Sequence, residues 1–86
     1  MKLVWSSNAW QDYVWWQSQD RKVLRRINML LVDIGPNGHN GLGKPEPLRH
    51  EYQGYWSRRI TDEHRLIYRI DGDEVLIATC RYHYAP

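Results

Sequence analysis

One stretch divides this chain. Residues 35–50, "GPNGHNGLGKPEPLRH", hold four Gly and three Pro, a density that breaks helix and strand alike. No long element can cross it. The chain therefore reads as two halves joined by an exposed loop of about a dozen residues, long for a compact domain and of the kind that often carries function. The loop has no Gly-Lys-Ser/Thr ending, so it is not a phosphate loop.

Before the loop the pattern is helical. "MKLVW" reads as an opening strand, and "SSNAWQDYVWWQSQD" as a helix with Ser6 or Ser7 as its N-cap and Trp10, Tyr13 and Val14 at helical spacing. Asp20 caps a second helix, in which Ile27, Leu30, Leu31 and Ile34 form an apolar stripe; Gly35 and Pro36 predict its stop. After the loop, "YWSRRIT", "HRLIYRI" and "EVLIATCRYHY" read as three strands, with turns at "DE" and "DGD". The order predicts an α+β fold, a single domain over residues 1–86, with two helices packed on one face of a twisted, mainly antiparallel sheet.

Strand parity then decides which side chains meet. A three-residue loop, Asp71-Gly72-Asp73, puts Leu66, Tyr68 and Ile70 beside Leu76, Ala78 and Cys80 on the core face. Arg65, Arg69, Arg81 and His83 then share the opposite face, joined by Arg59 if the turn at Asp62 and Glu63 keeps phase. On parity alone, a binding face and the ordinary solvated side of an antiparallel sheet are equally good readings. Net charge does not decide between them, because twelve Lys and Arg stand against ten Asp and Glu.

Composition narrows the setting. A chain of 86 residues builds a thin core. Its aromatic material is five Trp and six Tyr with no Phe, rings that carry a polar atom and suit both packing and a site. Cys80 is the single cysteine and favours a reducing compartment; it is expected to be a packed small residue. No run suits a membrane span or a signal peptide, so a cytoplasmic protein without membrane contact is expected. His39, His50, His64 and His83 have no metal-ligand spacing, and no cofactor is expected; His39 and His50 read as solvated, His64 as a structural turn residue.

Arginines with a histidine and aromatics suit a phosphodiester that carries bases, and single-stranded RNA above duplex DNA. Glu46 stands between Pro45 and Pro47, which stiffen the backbone that aims it, although an isolated loop Glu is more commonly a solvated acid. Paired with His83 it has chemical sense. RNA is cut without metal when its own 2′-OH attacks phosphorus, given a base, an acid and cations. A carboxylate with an ordinary pKa of about 4.3 can be the base, and an imidazole near about 6.5 can be the acid. Arg65, read as central in its strand, is the best phosphate stabiliser.

The stretches "MKLVWS", "GKPEPLRH", "YWSRRITDEHRLIY" and "CRYHY" together resemble the YoeB toxins of the RelE/ParE superfamily, in order along nearly the whole chain. The resemblance implies a ribosome-dependent messenger-RNA endonuclease that cuts A-site codons without metal. It also implies a YefM-type antitoxin with a disordered acidic tail, operator DNA bound only by the toxin–antitoxin complex, and homodimers. By the same resemblance Glu46 is the general base, His83 the general acid and Arg65 the phosphate-stabilising arginine. Tyr84 orients substrate, Lys44 and Arg59 fill basic positions, and Arg49 stands where the family commonly has Lys. Ala85 and Pro86 run past the usual terminal Tyr. Two other readings stay open: a non-catalytic gyrase inhibitor of the same superfamily, and an RNA- or ribosome-binding module.

Overall fold

The structure, a computed structural model, describes residues 1–82. His83 and Tyr84 lie outside the described residues. The elements run β1 (Lys2–Trp5), α1 (Ser7–Gln19), α2 (Arg21–Asn37), β2 (Glu46–Pro47), a 3-10 turn (His50–Tyr52), β3 (Trp56–Arg59), β4 (Arg65–Asp71) and β5 (Glu74–Thr79). The strands form one sheet in the order β1-β5-β4-β3-β2, antiparallel except for the β1–β5 pair. Both helices supply the core that covers one face of it, as expected. Among the described residues no helix is long and apolar enough to cross a membrane.

Local chemistry sets the helix ends. Ser6 caps α1, its Oγ accepting from the N–H of Ala9 at 3.0 Å. Asp20 closes α1 with its N–H on the Trp16 carbonyl, and its carboxylate opens α2 by accepting from the N–H groups of Lys22 and Val23. Val23, Ile27, Leu30 and Ile34 are buried along α2, with Leu31 partly so. The expected stop at Gly35 is two residues early. The helix runs through Pro36 to Asn37, because a proline in the last turn removes one hydrogen bond on an exposed side. Gly38, at φ +59, ends it by donating to the Ile34 carbonyl at 2.8 Å.

The β4–β5 hairpin corrects the expected register. Asp71 pairs with Glu74, so the turn is the two residues Gly72-Asp73, with Gly72 at φ +58. Val75 and Ile77 therefore point into the core beside Ile70 and Tyr68, and Leu76 turns to the other face opposite Arg69. Tyr68 pairs with Ile77 but Ile67 with Thr79, so Ala78 is the extra residue of a β-bulge. The bulge restores the phase, and Cys80 returns to the core fully buried. Leu66, Tyr68 and Cys80 are thus core residues as expected; Leu76 and Ala78 are not.

The last strand is also shorter than expected. Asp12 of α1 accepts from the Thr79 hydroxyl at 2.8 Å and the Cys80 N–H at 3.2 Å, and Trp16 donates its indole N–H to the Cys80 carbonyl at 2.9 Å. These contacts draw the chain off the ladder after Thr79. Arg81 consequently leaves the cationic face where parity had put it and stacks on Trp15 of α1, 3.6 Å from the ring centre.

Candidate active site

The face away from the helices carries an open cleft of about 280 Å³, walled by Lys44, Glu46, Leu48, Ser57, Arg59, Arg65 and Ile67. Four of the residues singled out from sequence, Lys44, Glu46, Arg59 and Arg65, are brought together there. Register does most of this. Arg59 pairs with Arg65, and Ser57 pairs with Glu46 on one side and Ile67 on the other. Adjacent strands lie about 4.8 Å apart, so Glu46 sits roughly 10 Å across the floor from Ile67, with Arg65 two residues along the same face.

Arg65 is partly buried, and its guanidinium is anchored through one nitrogen: Nη1 donates to the carbonyls of Thr61, Asp62 and His64. Glu46 sits in the edge strand β2, where Pro47 causes no loss because the edge leaves its missing N–H unneeded. Lys44 stands at φ +51 just before it. The Arg59 N–H donates to the Gly43 carbonyl at 2.7 Å, tying the loop across β3. At Gly43, φ +83, a Cβ would stand 2.9 Å from Leu30 and 3.2 Å from the Arg59 nitrogen, so only glycine allows this crossing.

Beneath the loop lies a residue that sequence reasoning missed. Arg58 is fully buried. Its guanidinium donates to the Asp33 carboxylate at 2.6 Å, to the Tyr68 hydroxyl at 3.0 Å and to the carbonyls of Gly38, Asn40 and Leu42. The N–H of Leu42, foremost, and the Arg58 guanidinium hold the Asp33 carboxyl below its usual range. Arg58 thus fixes the loop that delivers Lys44 and Glu46. Its signal in the sequence was its parity with Trp56, two residues before it; in the sheet it pairs with core residue Leu66. His39 belongs to the same wall: it stacks on Trp56 at 3.9 Å instead of standing in solvent, and burial, then Arg58, lowers its pKa.

The remaining candidates divide. Arg49 follows Leu48 but stands exposed outside the cleft walls, capping the 3-10 turn. Arg69 is exposed farther along the same face. The described chain ends at Tyr82, whose carbonyl accepts from the Arg65 N–H at 3.2 Å, one residue before His83. Cys80 is buried, its thiol pushed up to about 12 by burial and then by Asp12, so it offers no nucleophile. Among the described residues, no group of three or more His, Cys, Asp and Glu is arranged to hold a metal ion.

Comparison with known proteins agrees in full length. Residues 5–84 match the family described as YoeB-like toxin of bacterial type II toxin-antitoxin system. Toxin YoeB of Escherichia coli (strain K12) is 52% identical over 84 residues, 98% of this chain and 100% of that protein. A YoeB dimer from Staphylococcus aureus superposes with a TM-score of 0.92 at 45% identity, covering 98% of each chain. A YoeB–YefM complex from the same organism gives 0.91 at 44% identity, again over 98% of each. With its fold, its full length and nearly half its residues shared with such proteins, the chain belongs to the YoeB-like toxins of bacterial type II toxin–antitoxin systems.

Proposed function

We propose that this toxin is a ribosome-dependent endoribonuclease, cutting messenger RNA in the ribosomal A site by attack of a ribose 2′-OH on the adjacent phosphorus. The observation that carries this is the cleft in which one carboxylate, Glu46, faces the cations of Lys44, Arg59 and Arg65. Glu46 takes the 2′-OH proton. The 2′-oxygen bonds to phosphorus, and the 5′-oxygen leaves with a proton from His83, giving a 2′,3′-cyclic phosphate and a 5′-hydroxyl end. Arg65, held rigid by three carbonyls, meets the charge that grows on the non-bridging oxygens. Acid and base together contribute roughly 10²–10⁴-fold, and oriented cations a comparable factor. Base, acid and cations are all side chains, so the step needs no metal.

The cleft also supports dependence on the ribosome. It is too small for more than one linkage, and none of the described residues lining it is aromatic. None of these described residues can stack a base, which is how free single strands are usually gripped. The codon must be oriented by another body, with Lys44, Arg49, Arg59 and Tyr84 holding the backbone once it arrives. The cationic face equally suits the acidic tail of a YefM-type antitoxin, and kinship with YoeB proteins solved as a dimer and with YefM supports both partners. The antitoxin-bound form represses its own operon, and one toxin domain over residues 1–86 acts in the cytoplasm.

The test is cleavage of message on purified translating ribosomes, read by primer extension. Wild type cuts in the A-site codon. Glu46→Gln and His83→Gln lose at least about 10²-fold in rate and keep the wild-type melting temperature. Intact message with stalled ribosomes, or equal cutting by all three proteins, overturns the assignment; inhibition of purified gyrase instead favours the non-catalytic branch.

A further inference from the structure

His64 is not among the residues that wall the cleft, yet it holds the backbone of Tyr82, one residue before His83. Tyr82 has φ +65, a left-handed backbone that residues other than glycine keep only when their surroundings hold them. Two contacts do so. The Tyr82 N–H donates to His64 Nδ1 at 2.8 Å, and the Tyr82 carbonyl accepts from the Arg65 N–H at 3.2 Å. Both come from consecutive residues, 64 and 65.

The His64 ring is itself fixed. Trp16 meets it edge-on at 4.8 Å, the Tyr82 ring lies tilted at 5.4 Å, and Nε2 stands 3.6 Å from the Glu63 carboxylate. Its backbone carbonyl accepts from the N–H groups of Ile60 and Thr61 and from Arg65 Nη1. Because Nδ1 accepts a hydrogen bond, the ring proton sits on Nε2, a single tautomer set by the contact. One residue therefore ties together the guanidinium that meets the phosphate and the backbone that leads into His83.

We propose that His64 is a positioning residue, its Nδ1 pinning the Tyr82 backbone beside Arg65 and so setting the backbone that His83 follows in sequence. The proposal rests on the ribonuclease reading above. A misplacement of about 1 Å in a reacting group costs on the order of 10²-fold in rate.

The substitutions His64→Asn, His64→Gln and His64→Ala separate positioning from packing. Asn places an amide oxygen close to the Nδ1 position, Gln places its polar end nearer Nε2, and Ala removes both. Single-turnover cleavage on translating ribosomes is measured beside ribosome affinity, with hydrogen exchange at the Tyr82 amide. His64→Ala and His64→Gln lose about 10²-fold in cleavage rate at unchanged affinity, with a fast-exchanging amide, while His64→Asn stays within about threefold of wild type and keeps protection. His64→Ala cutting at the wild-type rate overturns the role of His64 alone. So does His64→Asn cutting as slowly as His64→Ala while its amide stays protected. Wild type that leaves message whole overturns the ribonuclease reading, and the role of His64 falls with it.

Discussion

Arg58 and Arg59 are neighbours on one strand and live in opposite worlds. Arg58 points to the helix side, wholly buried, its guanidinium engaged by one carboxylate, one hydroxyl and three carbonyls. Arg59 points into the open cleft, exposed, its side chain beside those of Lys44, Glu46 and Arg65. The difference shows a division of labour between the two faces. On one face the cation is engaged by a loop, and on the other the cations line an open cleft beside the residues that loop carries. The charge that balances Arg58 comes from the Asp33 carboxylate, joined by the carbonyls of loop 38–42.

Substitution of the pair gives the largest expected contrast. Arg58→Ala leaves Asp33 and the loop carbonyls without their donor, and costs about 3–5 kcal/mol of unfolding free energy in a denaturant titration. Arg59→Ala changes stability by no more than about 0.5 kcal/mol but slows cleavage on ribosomes. Equal melting of the two variants breaks the comparison. Gly43→Ala tests the crossing between the faces: its left-handed φ and the contact with Leu30 predict a loss of about 1–3 kcal/mol, with a Glu46 displaced enough to slow cleavage as well.

Acid sharpens the comparison further. The Asp33 carboxyl is held below its usual range, by the Leu42 N–H and then by Arg58, so the folded state binds this proton less readily than the unfolded chain does. Its stabilising contribution is complete above the unfolded value of about 4 and fades as pH falls through the lower folded value. Asp33→Asn therefore flattens the stability profile below about pH 4, measured by urea midpoints across pH; a profile parallel to wild type contradicts the network. The smallest effect expected is at Cys80. With its thiol pushed up to about 12 by burial and Asp12, it reacts with a disulfide reagent at pH 8 only at the rate of unfolding.

What sequence could and could not show follows the same division. Features set by near neighbours were legible: Asp20 as the cap of α2, the Ile27–Leu30–Ile34 stripe and the strand order after the loop. Features set by distant partners were not. The Gly72-Asp73 turn is one residue shorter than "DGD" suggests, and the bulge at Ala78 depends on where Asp12 and Trp16 of α1 catch the strand end. The two departures offset each other, which is why Cys80 reached the core by a register other than the expected one. Arg81 went to Trp15 for the same reason. Glu46 was singled out by the prolines on either side of it and Arg65 by its place in its strand; Arg58 was passed over although it shares the parity of Trp56, because the loop carbonyls that satisfy it lie 16 to 20 residues away.

The most direct measurement is a crystal structure of the toxin on a ribosome whose A-site codon carries a 2′-O-methyl group at the cut position. The expected result has the Glu46 carboxylate within about 3.2 Å of the 2′-oxygen, or one water from it, with the His83 imidazole at the 5′-oxygen and Arg65 on the phosphate between them. A codon lying elsewhere, with Glu46 and His83 on different sides of the protein and the cleft empty, contradicts it.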